Sequence, residues 1–245
     1  MVARLAIGCE TLEFSPDDWT AIGLSLRVAC LATLASLPFG IAIAYVLARA
    51  SFPGKLILNA LVHLPLVLPP VVTGYLLLLG FGARGPLGGA LKDCCDLVLA
   101  FRWTGAALAA AVMGFPLLVR AVRLSMEAVD QRLEGAAATL GAAPWRVFCT
   151  ITLPLSLPGI LAGATLAFAK ALGEFGATIT FVSNIPGETQ TIASAIYAHT
   201  QAAGGELAAW RLTLVSLALA FAALVASEAF ASRLARRKPA AMNAR

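Results

Sequence analysis

The segment of the chain that decides the fold spans residues 125–154 and has the sequence SMEAVDQRLEGAAATLGAAPWRVFCTITLP. Ser125 can cap the start of a helix, and the acids Glu127 and Asp130 suit the positive N-terminal end of that helix. The pattern predicts a helix that begins at Ser125 and continues to Leu140.

A glycine turn and a second helix are predicted next. Gly141 can adopt the positive φ that ends many helices, and Pro144 suits the first turn of a new helix, which Leu153 and Pro154 end. Small and apolar residues cluster around the turn. An exposed apolar group indicates an interaction site, whereas packing of the loop on its own domain is the alternative. The cluster comprises Ala136, Ala137, Ala138 and Leu140.

The chain around this segment is too apolar for a soluble protein. Hydrophobic residues make up 60% of the 245 residues and charged residues 13%, against about 45–50% and about 25% in soluble domains. The mean hydropathy is +0.85. This composition excludes a soluble enzyme, a disordered protein and a nucleic-acid-binding domain, and it indicates an all-α membrane protein surrounded by lipid.

Five stretches are apolar enough to cross a bilayer, whose core of about 30 Å needs roughly 20 helical residues. Prolines and glycines interrupt the first three, either as packing kinks or as breaks around a cavity. Charged residues interrupt segment 85–100, which is predicted to be a surface or re-entrant loop. The predicted spans are 21–48, 56–80, 103–119, 157–182 and 212–231.

The distribution of basic residues predicts the orientation. Most of the 18 lysines and arginines fall in segments that share one side, which the positive-inside rule makes cytoplasmic. The N-terminus is then outside and the C-terminus inside. The predicted parts are an extracytoplasmic segment 1–20, a transmembrane domain 21–233 containing the cytoplasmic loop 125–154, and a basic cytoplasmic tail 234–245.

The loop 125–154 resembles the coupling loop of permease subunits in bacterial binding-protein-dependent ABC importers. The residues that carry the resemblance are Glu134-Gly135-Ala136-Ala137, Gly141, Phe148, Ile151, Leu153 and Pro154. One residue departs from the family pattern: the leading glutamate would fall on Gly135, whereas the acid here is Glu134. That shift puts in doubt any salt bridge that the family assigns to its glutamate.

Three further stretches resemble the molybdate or tungstate branch of these permeases, with sulfate permeases nearest in pattern. They are RASFPGK at 49–55, LPLVLPP at 64–70 and GEFGATITFVSNIPGETQT at 173–191. The resemblance implies a type I ABC importer permease fold in the bacterial inner membrane. It also implies a homodimer, two copies of an ATPase subunit docked on the coupling loop, and a periplasmic oxyanion-binding protein.

Two groups of site residues follow. The resemblance implies ATPase docking at Glu134, Gly135, Ala136, Ala137, Leu140, Gly141, Ala142 and Pro144. In the fourth span, Lys170 and Glu174 share a helix face, and charges in a membrane are expected to pair, either as a gate or as a buried structural contact. The candidates for the pathway or gate are Lys170, Glu174, Phe175, Gly176, Thr178 and Thr180.

The sequence lacks the motifs of several enzyme activities. The phosphate-binding pattern G-x-x-x-x-G-K-[ST] is absent, so ATP hydrolysis must come from a partner. The protease and hydrolase patterns H-E-x-x-H and G-x-S-x-G are also absent. Two histidines and scattered cysteines predict no metal site, and no cofactor is expected. The alternatives are a sulfate or tungstate permease and an ATP-independent secondary transporter, although five spans give no inverted repeat.

Overall fold

The computed structural model describes residues 14–236, and all the regular secondary structure in that range is helical. Residues 1–13 of the predicted N-terminal segment and residues 237–245 of the predicted tail lie outside the described part of the chain. The helices are α1 (Pro16–Arg49), α2 (Lys55–Val67), α3 (Pro70–Phe81), α4 (Pro86–Cys95), α5 (Trp103–Glu127), α6 (Gln131–Thr139), α7 (Pro144–Val147), α8 (Leu153–Leu155), α9 (Leu157–Leu172), α10 (Gly176–Val182), α11 (Ile192–Gln201) and α12 (Glu206–Arg236).

Within residues 14–236, three single helices are long and apolar enough to cross a membrane, namely Pro16–Arg49, Trp103–Glu127 and Glu206–Ala229. Two bent helix pairs raise the number to five if each pair counts as one span. The all-α membrane architecture is therefore confirmed.

The second and fourth predicted spans are both interrupted. The break in the second agrees with one of the two interpretations of its prolines, whereas the break in the fourth was not predicted. The second consists of α2 and α3, which meet at an angle of 113° because two prolines follow Leu68. The fourth ends at Leu172, and a new helix begins at Gly176. Apolar composition predicted both stretches, but it does not report where the backbone turns.

No helix begins at Ser125, contrary to the prediction. Ser125 lies inside α5, which continues to Glu127, and its hydroxyl donates to the carbonyl oxygen of Ser156 at 3.3 Å. The helix of the loop begins at Gln131 instead, where the Asp130 carboxylate accepts the backbone N–H of Arg132 at 2.9 Å. Capping chemistry alone does not distinguish a residue inside a long helix from one at its start.

Segment 85–100, predicted to be a loop, contains the ten-residue helix α4, with Pro86 in its first turn. Asp96 ends that helix with φ of 51°.

Helix α5 forms the centre of the bundle and packs against α1 and α9. Small residues allow the close approach, as is common between membrane helices. A Cβ at Gly40 of α1 would lie 2.7 Å from Leu118 Cδ2, and one at Gly114 would lie 3.2 Å from the Ala167 carbonyl oxygen. These small residues therefore let the central helices approach closely.

The outer helices present apolar side chains to their surroundings. In α12, only 6% of the most apolar 18-residue stretch is buried. Leu217, Phe221 and Leu224 in this helix are exposed. Such a surface is unstable in water and suits contact with lipid or with another membrane helix.

Candidate coupling loop and pathway region

Helix α6 ends in a Schellman turn at Gly141. The N–H of Gly141 donates to the Ala138 carbonyl oxygen at 3.0 Å, and the N–H of Ala142 donates to the Ala137 carbonyl oxygen at 3.1 Å. Gly141 has φ of +83°, a conformation that costs a residue with a Cβ about 1–2 kcal/mol. Helix α7 then begins at Pro144, so the predicted helix, glycine turn and second helix are present. Leu153 and Pro154 do not end the second helix as predicted, because helical structure continues through Leu155.

The turn between the two helices presents apolar side chains to solvent. Leu140 is 89% exposed and Trp145 is 68% exposed. No residue of α6 is buried. We name residues 140–145 the docking turn; the exposed leucine and tryptophan give it the apolar anchors that binding surfaces use.

Glu134 faces the interior of the protein rather than the exposed side of α6. Its carboxylate accepts hydrogen bonds from Arg49, with Nε to Oε2 at 3.0 Å and Nη2 to Oε1 at 2.8 Å. The hydroxyl of the buried Thr152 donates to the same Oε1 at 2.7 Å. Arg49 Nη2 also donates to the Val129 carbonyl oxygen at 3.2 Å. The arginine fork therefore joins the end of α1 to both sides of the break before α6.

The second half of the loop is held to α1 as well. Residues Phe148–Thr152 form a π-helical turn, and the Phe148 ring contacts the Tyr45 ring edge-on at 4.7 Å between centroids. The Thr152 bond to Glu134 ties this turn to α6. The loop is thus a folded unit packed against the last turns of α1. The docking turn takes no part in these contacts.

The predicted docking residues fall into two groups. Glu134 is bonded within the chain, with its side chain only 17% exposed. The other predicted residues lie on the outer side of the loop, fully or partly exposed. They are Gly135, Ala136, Ala137, Leu140, Gly141, Ala142 and Pro144.

Three residues important to this region were missed from the sequence. Trp145 could have been found as a large aromatic side chain directly after Pro144, at the predicted turn. Arg49 and Thr152 lie 85 and 18 positions from Glu134, and no local pattern connects them.

In the predicted pathway region, Glu174 is 2% exposed and binds two partners. Lys170 Nζ donates to Oε2 at 2.8 Å, and the backbone N–H of Ala177 donates to Oε1 at 3.0 Å. The Glu174 carboxylate therefore bridges the break, because it pairs with Lys170 of α9 and accepts the backbone N–H of Ala177 in the first turn of α10. This geometry favours the structural interpretation of the pair.

The other candidates lie where α10 meets α3. The Phe175 ring is 5.0 Å from the Tyr197 ring, and a Cβ at Gly176 would lie 2.7 Å from Pro70 Cβ. The hydroxyls of Thr178 and Thr180 donate to the carbonyl oxygens of Phe175 and Gly176, each at 2.8 Å. Their hydrogens are used within the helix, so the two hydroxyls offer no donor to an anion in this conformation.

The region brings two helix breaks together. The 113° bend between α2 and α3 and the break between α9 and α10 lie on either side of the contact between α3 and α10. Broken helices at one place are typical of transport pathways, because their backbone polar groups need protein or water around them.

Among residues 14–236, no group of three or more histidine, cysteine or acidic side chains could hold a metal ion.

The comparisons with known proteins identify the family. A family model described as "binding-protein-dependent transport system inner membrane component" matches residues 36–236. The chain belongs to this family. It is therefore a multi-pass component of the inner membrane, and the resemblance seen in the sequence is confirmed.

Three named permease proteins match between 76% and 90% of this chain. The molybdenum transport system permease protein ModB of Escherichia coli K12 is 60% identical over 221 residues, which are 90% of this chain and 96% of that protein. The ModB of Haemophilus influenzae is 54% identical over 89% of this chain and 95% of its own length. The sulfate transport system permease protein CysT of E. coli K12 is 36% identical over 76% of this chain and 67% of its own length.

Solved structures of importers share the fold. A bacterial ABC transporter that imports alginate matches with a TM-score of 0.71 and 19% identity over 96% of this chain and 85% of that one. The MetNI methionine ABC transporter matches with a TM-score of 0.66 and 14% identity over 89% of this chain and 94% of that one. The ABC importer permease fold implied by the sequence is therefore confirmed for this inner membrane component.

The contact between Arg49 and Glu134 predicts non-additive losses of stability. We expect Arg49→Met and Glu134→Gln each to lower the free energy of unfolding by about 1–3 kcal/mol, because each leaves polar groups without a partner. The stability loss of the double variant should be smaller than the sum of the two single losses by about 0.5–3 kcal/mol. Denaturant titration in detergent, followed by tryptophan fluorescence, measures both; Arg84→Met, an exposed arginine before α4, is the control. Additive losses would contradict the contact.

The contact between α3 and α10 predicts a difference between two neighbouring glycines. Gly176→Ala should lower the free energy of unfolding by about 1–3 kcal/mol, because the added Cβ would overlap Pro70. Gly173→Ala is the matched control, since its Cβ would lie no closer than 3.8 Å to any neighbour. The same titration compares them, and equal effects would show that the close approach does not matter.

Proposed function

We propose that this chain forms the membrane path of an ATP-driven molybdate importer. The single observation that carries the ATP-driven part is the docking turn, an exposed apolar surface at the end of a loop that is braced against α1. Leu140, with 89% of its surface exposed, shares the docking turn with the exposed Trp145, and grouped exposed apolar side chains are typical of a surface that a partner covers.

In this proposal, energy enters through the docking turn from a separate ATPase subunit, two copies of which serve a dimer of this chain. The docking residues are Gly135, Ala136, Ala137, Leu140, Gly141, Ala142 and Pro144, with Glu134 acting behind them. Glu134 contributes by holding α6 to Arg49, so that a displacement of the docking turn moves α1 as well. The chain itself hydrolyses no ATP, since it carries no phosphate-binding loop.

The remaining partners follow from the same proposal. A periplasmic oxyanion-binding protein delivers the substrate to the outer side, where the N-terminus lies, and the C-terminal tail lies in the cytoplasm. The solved alginate importer has been captured with its pentasaccharide-bound periplasmic protein, which supports such a partner in the fold family. Lipid and the second copy of the chain cover the exposed apolar faces of α3 and α12.

The gate is proposed at the contact between α3 and α10. Lys170 and Glu174 hold the break that lets α10 begin, while Phe175, Gly176, Thr178 and Thr180 form the packed segment behind it. Close backbone contact at Gly176 makes the segment sensitive to small shifts of α3. A movement of either broken helix would therefore open or close the path.

The relatives favour molybdate over sulfate. The molybdenum permease of E. coli shares 60% of its aligned residues with this chain, against 36% for the sulfate permease of the same organism. A secondary transporter is not favoured, because the family is defined by dependence on a binding protein.

Reconstitution tests the function directly. Proteoliposomes that contain this chain, its ATPase subunit and the binding protein should accumulate molybdate only when ATP is present. Sulfate at the same concentration should be taken up more slowly. Molybdate uptake that is equal with and without ATP would contradict the ATP-driven mechanism. Faster uptake of sulfate than of molybdate would contradict the proposed substrate.

The docking turn predicts uncoupling by Gly141→Val. A β-branched residue at φ of +83° would strain the turn by about 1–2 kcal/mol and displace Leu140 from its position. We expect the complex to lose most of its molybdate uptake per ATP hydrolysed, measured as the ratio of the two rates. Gly204→Val is the matched control, because it introduces the same residue at φ of +80° with no atom within 4 Å of the added Cβ, but lies between α11 and α12. A normal ratio in Gly141→Val would show that the turn does not transmit energy.

A further inference from the structure

A cluster of basic side chains surrounds an open cavity between α2 and the C-terminal half of α5. The cavity has a volume of about 290 Å³ and is lined by Asn59, His63, Arg120, Arg123, Leu124 and Glu127. A second depression of about 360 Å³ shares Asn59 and Arg123 with it and adds Lys55. The two form one continuous basic surface, which we name the basic cavity.

Four side chains of the basic cavity are held in place by hydrogen bonds to other side chains or to the backbone. Arg123 Nε donates to Glu127 at 2.7 Å, and its Nη1 donates to Asn59 Oδ1 at 3.0 Å. His63 Nδ1 lies 2.8 Å from the Asn59 carbonyl oxygen, and Lys55 Nζ donates to the Ala50 carbonyl oxygen at 3.0 Å. The cavity is therefore organised before any ligand enters.

Arg120 differs from these residues. It is exposed, and among residues 14–236 its side chain has neither a hydrogen-bond partner nor an ion-pair partner. All the donors of its guanidinium group are available, and two parallel N–H bonds to one oxyanion are the geometry that arginine provides.

The charges around the basic cavity do not balance. Lys55, Arg120 and Arg123 face a single carboxylate, Glu127. Two positive charges therefore remain without compensation. Lys170 in the proposed gate is different, because Glu174 neutralises it at 2.8 Å. Of these two regions, only the basic cavity carries uncompensated positive charge.

We propose that the basic cavity is a low-affinity site for a doubly charged tetrahedral oxyanion, with Arg120 as its main donor. The proposal rests on the proposed function, which supplies such an anion as the transported substrate. A cleft lined by charge of one sign raises the local concentration of the opposite ion. The cavity would draw the dianion away from the gate after it opens.

Weak binding is what the geometry provides. The cavity is open to its surroundings, and Arg123 already shares its charge with Glu127. A site that held the anion tightly would stop transport, whereas one free arginine on an open surface lets the anion leave. Arg120 is thus placed to attract the substrate without retaining it.

The test measures binding of radiolabelled molybdate by equilibrium dialysis. The sample is the complex of this chain with its ATPase subunit, in nanodiscs of phosphatidylcholine and without the binding protein. The ATPase subunit alone gives the background. We expect saturable binding that Arg120→Gln weakens about tenfold, the effect of losing a charged hydrogen bond. Arg120→Lys should retain part of the affinity, and Lys55→Gln should weaken binding less.

Arg84→Gln, which removes an exposed arginine far along the chain from the cavity, should leave binding unchanged. Equal affinity in wild type and Arg120→Gln would overturn the proposal, and so would the absence of saturable binding to the wild-type complex. ATP-driven uptake by the same preparation, with the binding protein restored, is measured in parallel. Normal uptake without binding at the cavity would contradict only this inference. The absence of any molybdate uptake would contradict the proposed function.

Lipid phosphate has similar chemistry and is separated by a second arm. Nanodiscs containing phosphatidylglycerol replace those of pure phosphatidylcholine. Molybdate binding that survives this change supports a site for the transported anion. Loss of binding in the wild type would assign the cavity to a lipid headgroup and overturn its role in the path.

Discussion

The fork of hydrogen bonds from Arg49 to Glu134 determines what the rest of the structure can do. It closes at 2.8 and 3.0 Å, joins the last turn of α1 to α6, and is extended by Thr152 to the helical turn beyond the docking turn. An ion pair that is mostly shielded from water cannot lose one partner cheaply. The loop is therefore a rigid end of the bundle rather than a flexible connector, and a force applied at its tip reaches α1.

The region proposed as the gate depends on a different constraint, the close packing of broken helices. Glu174 supplies a partner for the N–H of Ala177 and for Lys170, so the break before α10 carries no unpaired carboxylate. Gly74 and Gly176 let α3 and α10 touch through their backbones; a Cβ at Gly74 would lie 2.5 Å from the Ala177 carbonyl oxygen. Helices in such contact shift as blocks, as a gate requires.

The sequence was informative wherever the cause lay within a few residues. Hydropathy predicted a helical membrane protein, and glycine and proline chemistry predicted the turn at Gly141 and the helix at Pro144. Prolines indicated an interruption between α2 and α3 but not its angle of 113°. Ser125 has capping chemistry but lies within α5, where distant packing decides the helix bounds. The internal role of Glu134 depends on Arg49, which is 85 residues away, so it could only be seen in the fold.

The central claim is that the docking turn and α1 move as one body during the transport cycle. Spin labels at residue 46, which is exposed in the last turn of α1, and at residue 138, which is exposed on α6, can test it after replacement of the native cysteines. Their separation is measured by pulsed electron resonance in the full complex, first without nucleotide and then with ATP trapped. We predict the same distance distribution in both states. A shift between the two states would show that α6 moves independently of α1 and would contradict the claim.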